Sequence, residues 1–169
     1  TADKVVVDVN NENSRTDGIY VKSSSLTNKA ESVINGSVDV KSHGVSQTTG
    51  LYSAGNAFLT VNGDVIMKDA NGWAVSGEGN MSHEGISAVY AGSDYTIQTG
   101  GHLDVNGNLD LKVSANGVLA NGGGSTVNIK GGGTIEIDKE NESGFMAIAA
   151  QSGVANMNMN DAGDGYGTH

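Results

Sequence analysis

Short runs in which apolar and polar residues alternate, broken by Gly and Asn, dominate this chain. Val65 and Met67 alternate with Asp64 and Lys68, and Ile135 and Ile137 alternate with Thr134 and Glu136. A period of two marks strands with one buried face. The inward set is therefore predicted to be Val38, Val40, Val65, Met67, Leu103, Val105, Ile135 and Ile137.

The strands come in repeating phrases. A Gly followed by apolar, small or aromatic residues recurs at Gly18-Ile19-Tyr20-Val21, Gly50-Leu51-Tyr52-Ser53, Gly85-Ile86-Ser87-Ala88, Gly117-Val118-Leu119-Ala120 and Gly144-Phe145-Met146-Ala147, at intervals of 32, 35, 32 and 27 residues. A strand pair follows each of the first four: Ile34–Val40, Leu59–Met67, Ile97–Val105 and Val127–Ile137. Periods of roughly 20 to 50 residues mark solenoids, propellers or arrays. We favour the Gly-aliphatic register. The competing register aligns the Asn-Gly pairs 35-36, 62-63 and 106-107 at uneven intervals of 27 and 44, and its last member equally reads as a hairpin from Leu103 to Leu111 on a type I′ turn.

An antiparallel sandwich would also alternate and would also use Asn-Gly turns, but it has no reason to repeat one three-strand phrase along its length. The absence of Pro fits a fold in which nearly every N–H joins a ladder. The predicted fold is all-β, a parallel β-solenoid of about five to seven coils stacked roughly 4.8 Å apart. One such domain is expected over residues 1–166, as a fragment of a longer secreted protein, with Gly167-Thr168-His169 as a possible cloning-derived tail.

Composition narrows the chemistry. With no Cys, the chain has neither disulfides nor thiol-based metal sites. Nineteen acidic against nine basic side chains leave a net charge of −10, which disfavours nucleic acid and anionic membrane as partners. No apolar run reaches the length of a membrane-spanning helix, so no membrane insertion by this fragment is expected.

The phrases Gly18-Ile19-Tyr20-Val21, Gly50-Leu51-Tyr52-Ser53-Ala54-Gly55, Leu59-Thr60-Val61-Asn62-Gly63-Asp64-Val65 and Gly131-Gly132-Gly133-Thr134-Ile135-Glu136-Ile137-Asp138 resemble the passenger regions of bacterial autotransporters of the type V pathway, over most of residues 15–160. The resemblance implies a right-handed parallel β-helix, exported through an outer-membrane barrel and exposed on the cell surface or secreted. It implies an adhesin that attaches to a host surface protein or glycan, or to another copy of itself. The alternatives are a polysaccharide-degrading β-helix enzyme and a purely structural stalk.

Catalytic constellations are thin. Lyase chemistry wants a base and a cation, yet Arg15 is the sole arginine and sits in a polar stretch that reads as a solvated loop. Glycoside hydrolysis wants two facing carboxylates. Asp39, Asp104 and Glu136 are expected in one outward column, with Ile66 in the remaining coil, most simply as a solvated acidic stripe. No Gly-x-Ser-x-Gly elbow occurs. His43, His83 and His102 read as turn residues, and Asn121–Gly124 and Gly131–Gly133 as tight corners. Asp161-Ala162-Gly163-Asp164-Gly165 is a single copy of a calcium-repeat-like phrase, without the stacked neighbour that would complete a site. We expect no enzyme activity, no cofactor and no metal.

Binding candidates are clearer. If Ile19 and Leu51 point inward, Tyr20 and Tyr52 point outward in register. With Trp73, Tyr90 and Tyr95 they form the candidate binding surface, Trp73 being assigned to a protruding insertion from Asp69 to Gly79. Asn35 paired with Asn62, and Thr60 with Gln98, form a candidate self-association ladder.

Overall fold

The computed structural model describes residues 3–11, 13–77, 85–138 and 145–157. Over these residues the chain winds through five coils, each contributing strands to the same three sheets. The first coil holds β1 (Lys4–Asn11), β2 (Thr16–Ser23) and β3 (Ala30–Ile34), and the second β4 (Ser37–Gly44), β5 (Thr48–Gly55) and β6 (Ala57–Val61). In the third, β7 (Val65–Met67) and β8 (Val75–Gly77) share one sheet, followed by β9 (Ile86–Gly92) and β10 (His102–Val105). The fourth holds β11 (Leu109–Val113), β12 (Asn116–Asn121) and β13 (Thr126–Ile129), and the fifth β14 (Gly133–Ile137), β15 (Ile148–Gln151) and β16 (Val154–Met157).

The sheets run β1-β4-β7-β11-β14 with β8 also on β4, β2-β5-β9-β12-β15, and β3-β6-β10-β13-β16. Every pairing among these strands is parallel. This is a parallel β-helix, as the repeated phrases predict.

Its core is a set of aliphatic columns. Met67, Leu111 and Ile135 stack in the first sheet, Leu51, Val89 and Val118 in the second, and Leu59, Leu103 and Val127 in the third. All but Ile135 are buried; Ile135, in the fifth coil, is partly exposed but packs on the same core. Side chains of successive coils meet at the strand spacing, so like stacks on like and apolar area is removed from water continuously along the rod.

The register mixes the two expected schemes. Gly18 and Gly50 do fall in one column, since Ile19 pairs with Leu51. Leu51 then pairs with Val89 and Val118 with Ile148, so Ala88 and Ala147 take the places assigned to Gly85 and Gly144. The position demands a small side chain: a Cβ on Gly50 would lie 2.5 Å from Met67 Sδ and 2.6 Å from the carbonyl oxygen of Ala88. Ala in the third and fifth coils meets the same demand, and the search for Gly alone missed it.

The Asn-Gly scheme, not favoured from sequence, describes the corner between the third and first sheets. Ile34 pairs with Val61 and Val61 with Val105, reproducing the intervals of 27 and 44. Gly36, Gly63, Gly107 and Gly131 stack there so tightly that a Cβ on Gly107 would lie 2.4 Å from the backbone of Gly63. Leu103–Leu111 is accordingly a corner joining β10 to β11 in different sheets, and no hairpin forms. Leu103 and Val105 are inward as predicted, but in the third sheet, whereas Val38, Val40, Val65 and Met67 lie in the first.

The long interval of 44 accumulates in three steps, since the offset from the second coil to the third is 27 at Val38–Val65, 33 at Ser42–Val75, 38 at Thr48–Ile86 and 44 at Phe58–His102. After β7 the chain bulges outward with a bridge between Asp69 and Gly72, then returns as β8 to pair with Ser42–Gly44 of β4. Ala74 and Val75 are fully buried. The segment expected to protrude is thus a short bulge that rejoins the core. The end of that expected loop, at Glu78 and Gly79, lies outside the described residues, as do His83, Gly144, Asp161–Gly165 and residues 167–169.

Candidate functional site

The second sheet carries the site on its outer face. Register places Tyr20 beside Tyr52 and Tyr52 beside Tyr90. Their rings stack with centroids 4.7 Å apart at both steps and interplanar angles of 9° and 13°. Leu119 continues the column after Tyr90. Outward alternation from Ile19 and Leu51 is what sequence predicted for Tyr20 and Tyr52, and Tyr90 extends the ladder by one coil.

One flank is built by the loop before β2. The Arg15 guanidinium carbon lies 5.3 Å from the Tyr20 centroid and 5.1 Å from that of Tyr52, bracing both rings. Its Nε and Nη2 donate to the two Asp17 carboxylate oxygens at 2.8 and 3.2 Å, and Nη1 donates to Gln47 Oε1 at 3.1 Å. Thr49 Oγ1 donates to Asp17 Oδ1 at 2.5 Å. Arg15 is therefore not a merely solvated loop residue: partial burial works against its charge, but the hydrogen bonds and charge of Asp17, with the neighbouring Tyr52 and Tyr20, together outweigh it and hold its pKa above the ordinary value. Burial, ahead of the neighbouring Tyr20, pushes the Tyr52 phenol up as well.

The loop after β9 builds the other flank. Asp94 is 5% exposed and accepts from Lys22 Nζ at 2.8 Å and Ser24 Oγ at 2.8 Å, while its Oδ1 accepts from the Thr96 and Ile97 amides at 2.8 and 3.3 Å. These donors, Lys22 foremost, hold the carboxyl far below the usual carboxylate range. A bridge between Ser93 and Gly100 closes the loop base. Gln98 lies in this loop at φ 54°, its amide bonded to the Asp94 carbonyl. Tyr95, at the tip, is 95% exposed.

Between the flanks runs a groove of about 420 Å³, with the tyrosine ladder, Thr49 and Asn121 among its lining and Tyr95 on its rim. Four of the five aromatic candidates thus converge. Trp73 does not: it sits in the bulge of the first sheet, with Lys112 Nζ 5.6 Å from its ring. Sequence reading missed the roles of Arg15, Lys22, Gln47, Thr49, Asp94 and Asn121. A signal existed, because Lys22, Ala54, Gly92 and Asn121 share a column two residues beyond the ladder, and the small members leave room for Lys22 to reach Asp94.

Other expected groupings are redrawn by the register. Asn62 Nδ2 donates to Asn35 Oδ1 at 2.9 Å, and Asn106 Nδ2 donates to Asn62 Oδ1 at 2.6 Å. The Asn35–Asn62 pairing is real, but these amide bonds tie coil to coil. Thr60 neighbours Asp104, not Gln98. Asp39 and Glu136 lie in the first sheet and Asp104 in the third, so no single acidic column exists. Asp104 instead accepts from Asn128 Nδ2 at 2.6 Å, and Asp39 from Lys4 Nζ at 2.7 Å.

His102 stacks on Phe58 with centroids 4.4 Å apart, burial lowering its pKa, and His43 Nδ1 pairs with Ser76 Oγ at 2.8 Å. Gly122 and Gly124 adopt positive φ at a corner, as expected of that stretch. Among the described residues no group of three or more His, Cys, Asp or Glu side chains is placed to hold a metal ion.

No known protein family matches the chain, and no curated protein or solved structure is similar enough to register as a match.

Proposed function

We propose that this chain is part of a bacterial surface adhesin of the autotransporter passenger type, held outside the outer membrane or secreted, whose β-helical rod presents the tyrosine groove to a ligand on a host surface or a neighbouring cell. The observation that carries this reading is the Tyr20–Tyr52–Tyr90 ladder, braced by Arg15 on one flank and the Asp94 loop on the other. Aromatic rings on a rigid scaffold supply contact area with little ordering cost on binding.

The groove's acid–base equipment favours binding over turnover. A general acid needs a raised pKa near the working pH, whereas Asp94 is held ionised by Lys22, and Asp17 is engaged by Arg15 and Thr49. The experiment is display of the chain on latex beads and on non-adherent bacteria. A gain of attachment or of cell aggregation is the expected result, and indifference in both formats contradicts the proposal.

A further inference from the structure

The groove's surface chemistry narrows its ligand. Tyr52 is sandwiched between Tyr20 and Tyr90, so both of its faces are used and it can offer only edge and hydroxyl. The side chain of Tyr95, standing free on the rim, keeps its ring faces open. Both cations at the groove are already matched: Arg15 forks onto Asp17, and Lys22 is paired with Asp94. Each cation is thereby neutralised by its own carboxylate, Asp17 lying just behind the lining, in a chain whose net charge of −10 repels polyanions. Apart from the small residues Ala54 and Gly85, the rest of the lining is phenol, hydroxyl and amide: tyrosines, Thr49, Ser93, Gln47 and Asn121.

An extended peptide is a poorer match. Strand addition requires a free sheet edge, whereas the groove lies on the face of a sheet whose backbone groups are bonded along the rod, coil to coil. Side chains alone must recognise the ligand here. A neutral, hydroxyl-rich chain satisfies such a lining: its hydroxyls exchange hydrogen bonds with phenols and amides, and its apolar C–H face lies against an open ring.

We infer that the groove binds a neutral oligosaccharide chain, with Tyr95 stacking on one sugar ring and the ladder hydroxyls, with Asn121 and Gln47, hydrogen-bonding its neighbours. This rests on the adhesin reading for its biological setting, but not for its chemistry. Lys22 and Asp94 act as positioning residues that hold the Tyr95 loop over the ladder.

The test is calorimetric titration of the purified chain with neutral hexasaccharides (cello-, laminari-, malto- and mannohexaose) and with anionic hexamers from heparin and polygalacturonate, beside bead attachment in the presence of the same sugars. The expected result is binding of at least one neutral probe, weakened about tenfold by Tyr95→Ala and by the hydroxyl-deleting pair Tyr20→Phe with Tyr52→Phe, which keeps the stack. Trp73→Ala is expected to bind as the parent does. Preference for the anionic probes, no binding of any neutral probe, or binding indifferent to Tyr95 and to the hydroxyls overturns the inference. If beads attach while no neutral sugar binds or competes, the ligand assignment fails and the adhesin reading stands; that outcome points to a protein ligand. If neutral sugar binds but beads never attach, the reverse holds.

Discussion

Lys22 Nζ meets Asp94 Oδ2 at 2.8 Å across the intervening second coil, over the small side chain of Ala54. This contact joins the first coil to the loop of the third and sets the outer wall of the groove. Because Asp94 is nearly inaccessible and also takes two backbone amides, its charge is part of the loop's architecture.

A pH dependence follows with a defined sign. The folded-state pKa of Asp94 is depressed, so its stabilising effect is fully present above the unfolded value, about 3.9. It is lost as pH falls from there through the folded value. Asp94→Asn keeps the turn-capping oxygen and removes the charge. Its melting temperature is expected to lie below that of the parent at pH 7, with the gap shrinking below about pH 4. Paired thermal melts across pH check this, and a gap that widens in acid contradicts it.

The core columns predict graded costs. Leu103 is fully buried between Leu59 and Val127, so Leu103→Ala should destabilise by about 2–5 kcal/mol. Val65→Asp would bury an unpaired charge and is expected to abolish stable folding. Ile135→Ala, in the half-covered fifth coil, should cost less than Leu103→Ala. Urea unfolding monitored by circular dichroism ranks the three.

Corner glycines predict a sharp contrast. Gly107→Ala would drive a Cβ into the backbone of Gly63, where no flexible side chain can yield, and should cost about 1–3 kcal/mol. Gly72→Ala meets nothing within 4 Å at the bulge and should leave the stability to urea within about 0.5 kcal/mol of the parent.

How much of this was legible in the sequence depends on the link considered. Alternation identified the inward residues, because a strand's period of two is local and strict. The registers of distant coils were not local. The bulge at Lys68–Trp73, extra residues between β8 and β9, and the loop after β9 together lengthened one repeat at the Asn-Gly corner to 44 residues, and the Gly column accepts Ala88 and Ala147. Tyr20 and Tyr52 were legible as a pair for the same reason as the core. Arg15 and Asp94 were not, since each acts through contacts between different coils that only the register supplies.

The asparagine ladder gives a further discriminating prediction. Asn62 makes one amide bond up and one down the rod, both exposed, so Asn62→Ala should destabilise by about 1 kcal/mol. With those groups already paired, sedimentation of the variant is expected to match that of the parent at low and high salt. Loss of a salt-strengthened self-associated species in Asn62→Ala would restore the ladder as an interface between rods.

The most direct test of the central claim compares attachment of beads carrying the parent chain, the Tyr20→Ala with Tyr95→Ala double variant, and Trp73→Ala, with folding of each verified by its urea transition. If the groove on the second sheet is the adhesive surface, the double variant loses attachment and Trp73→Ala retains it. Retained attachment in the double variant, or loss confined to Trp73→Ala, would contradict the account.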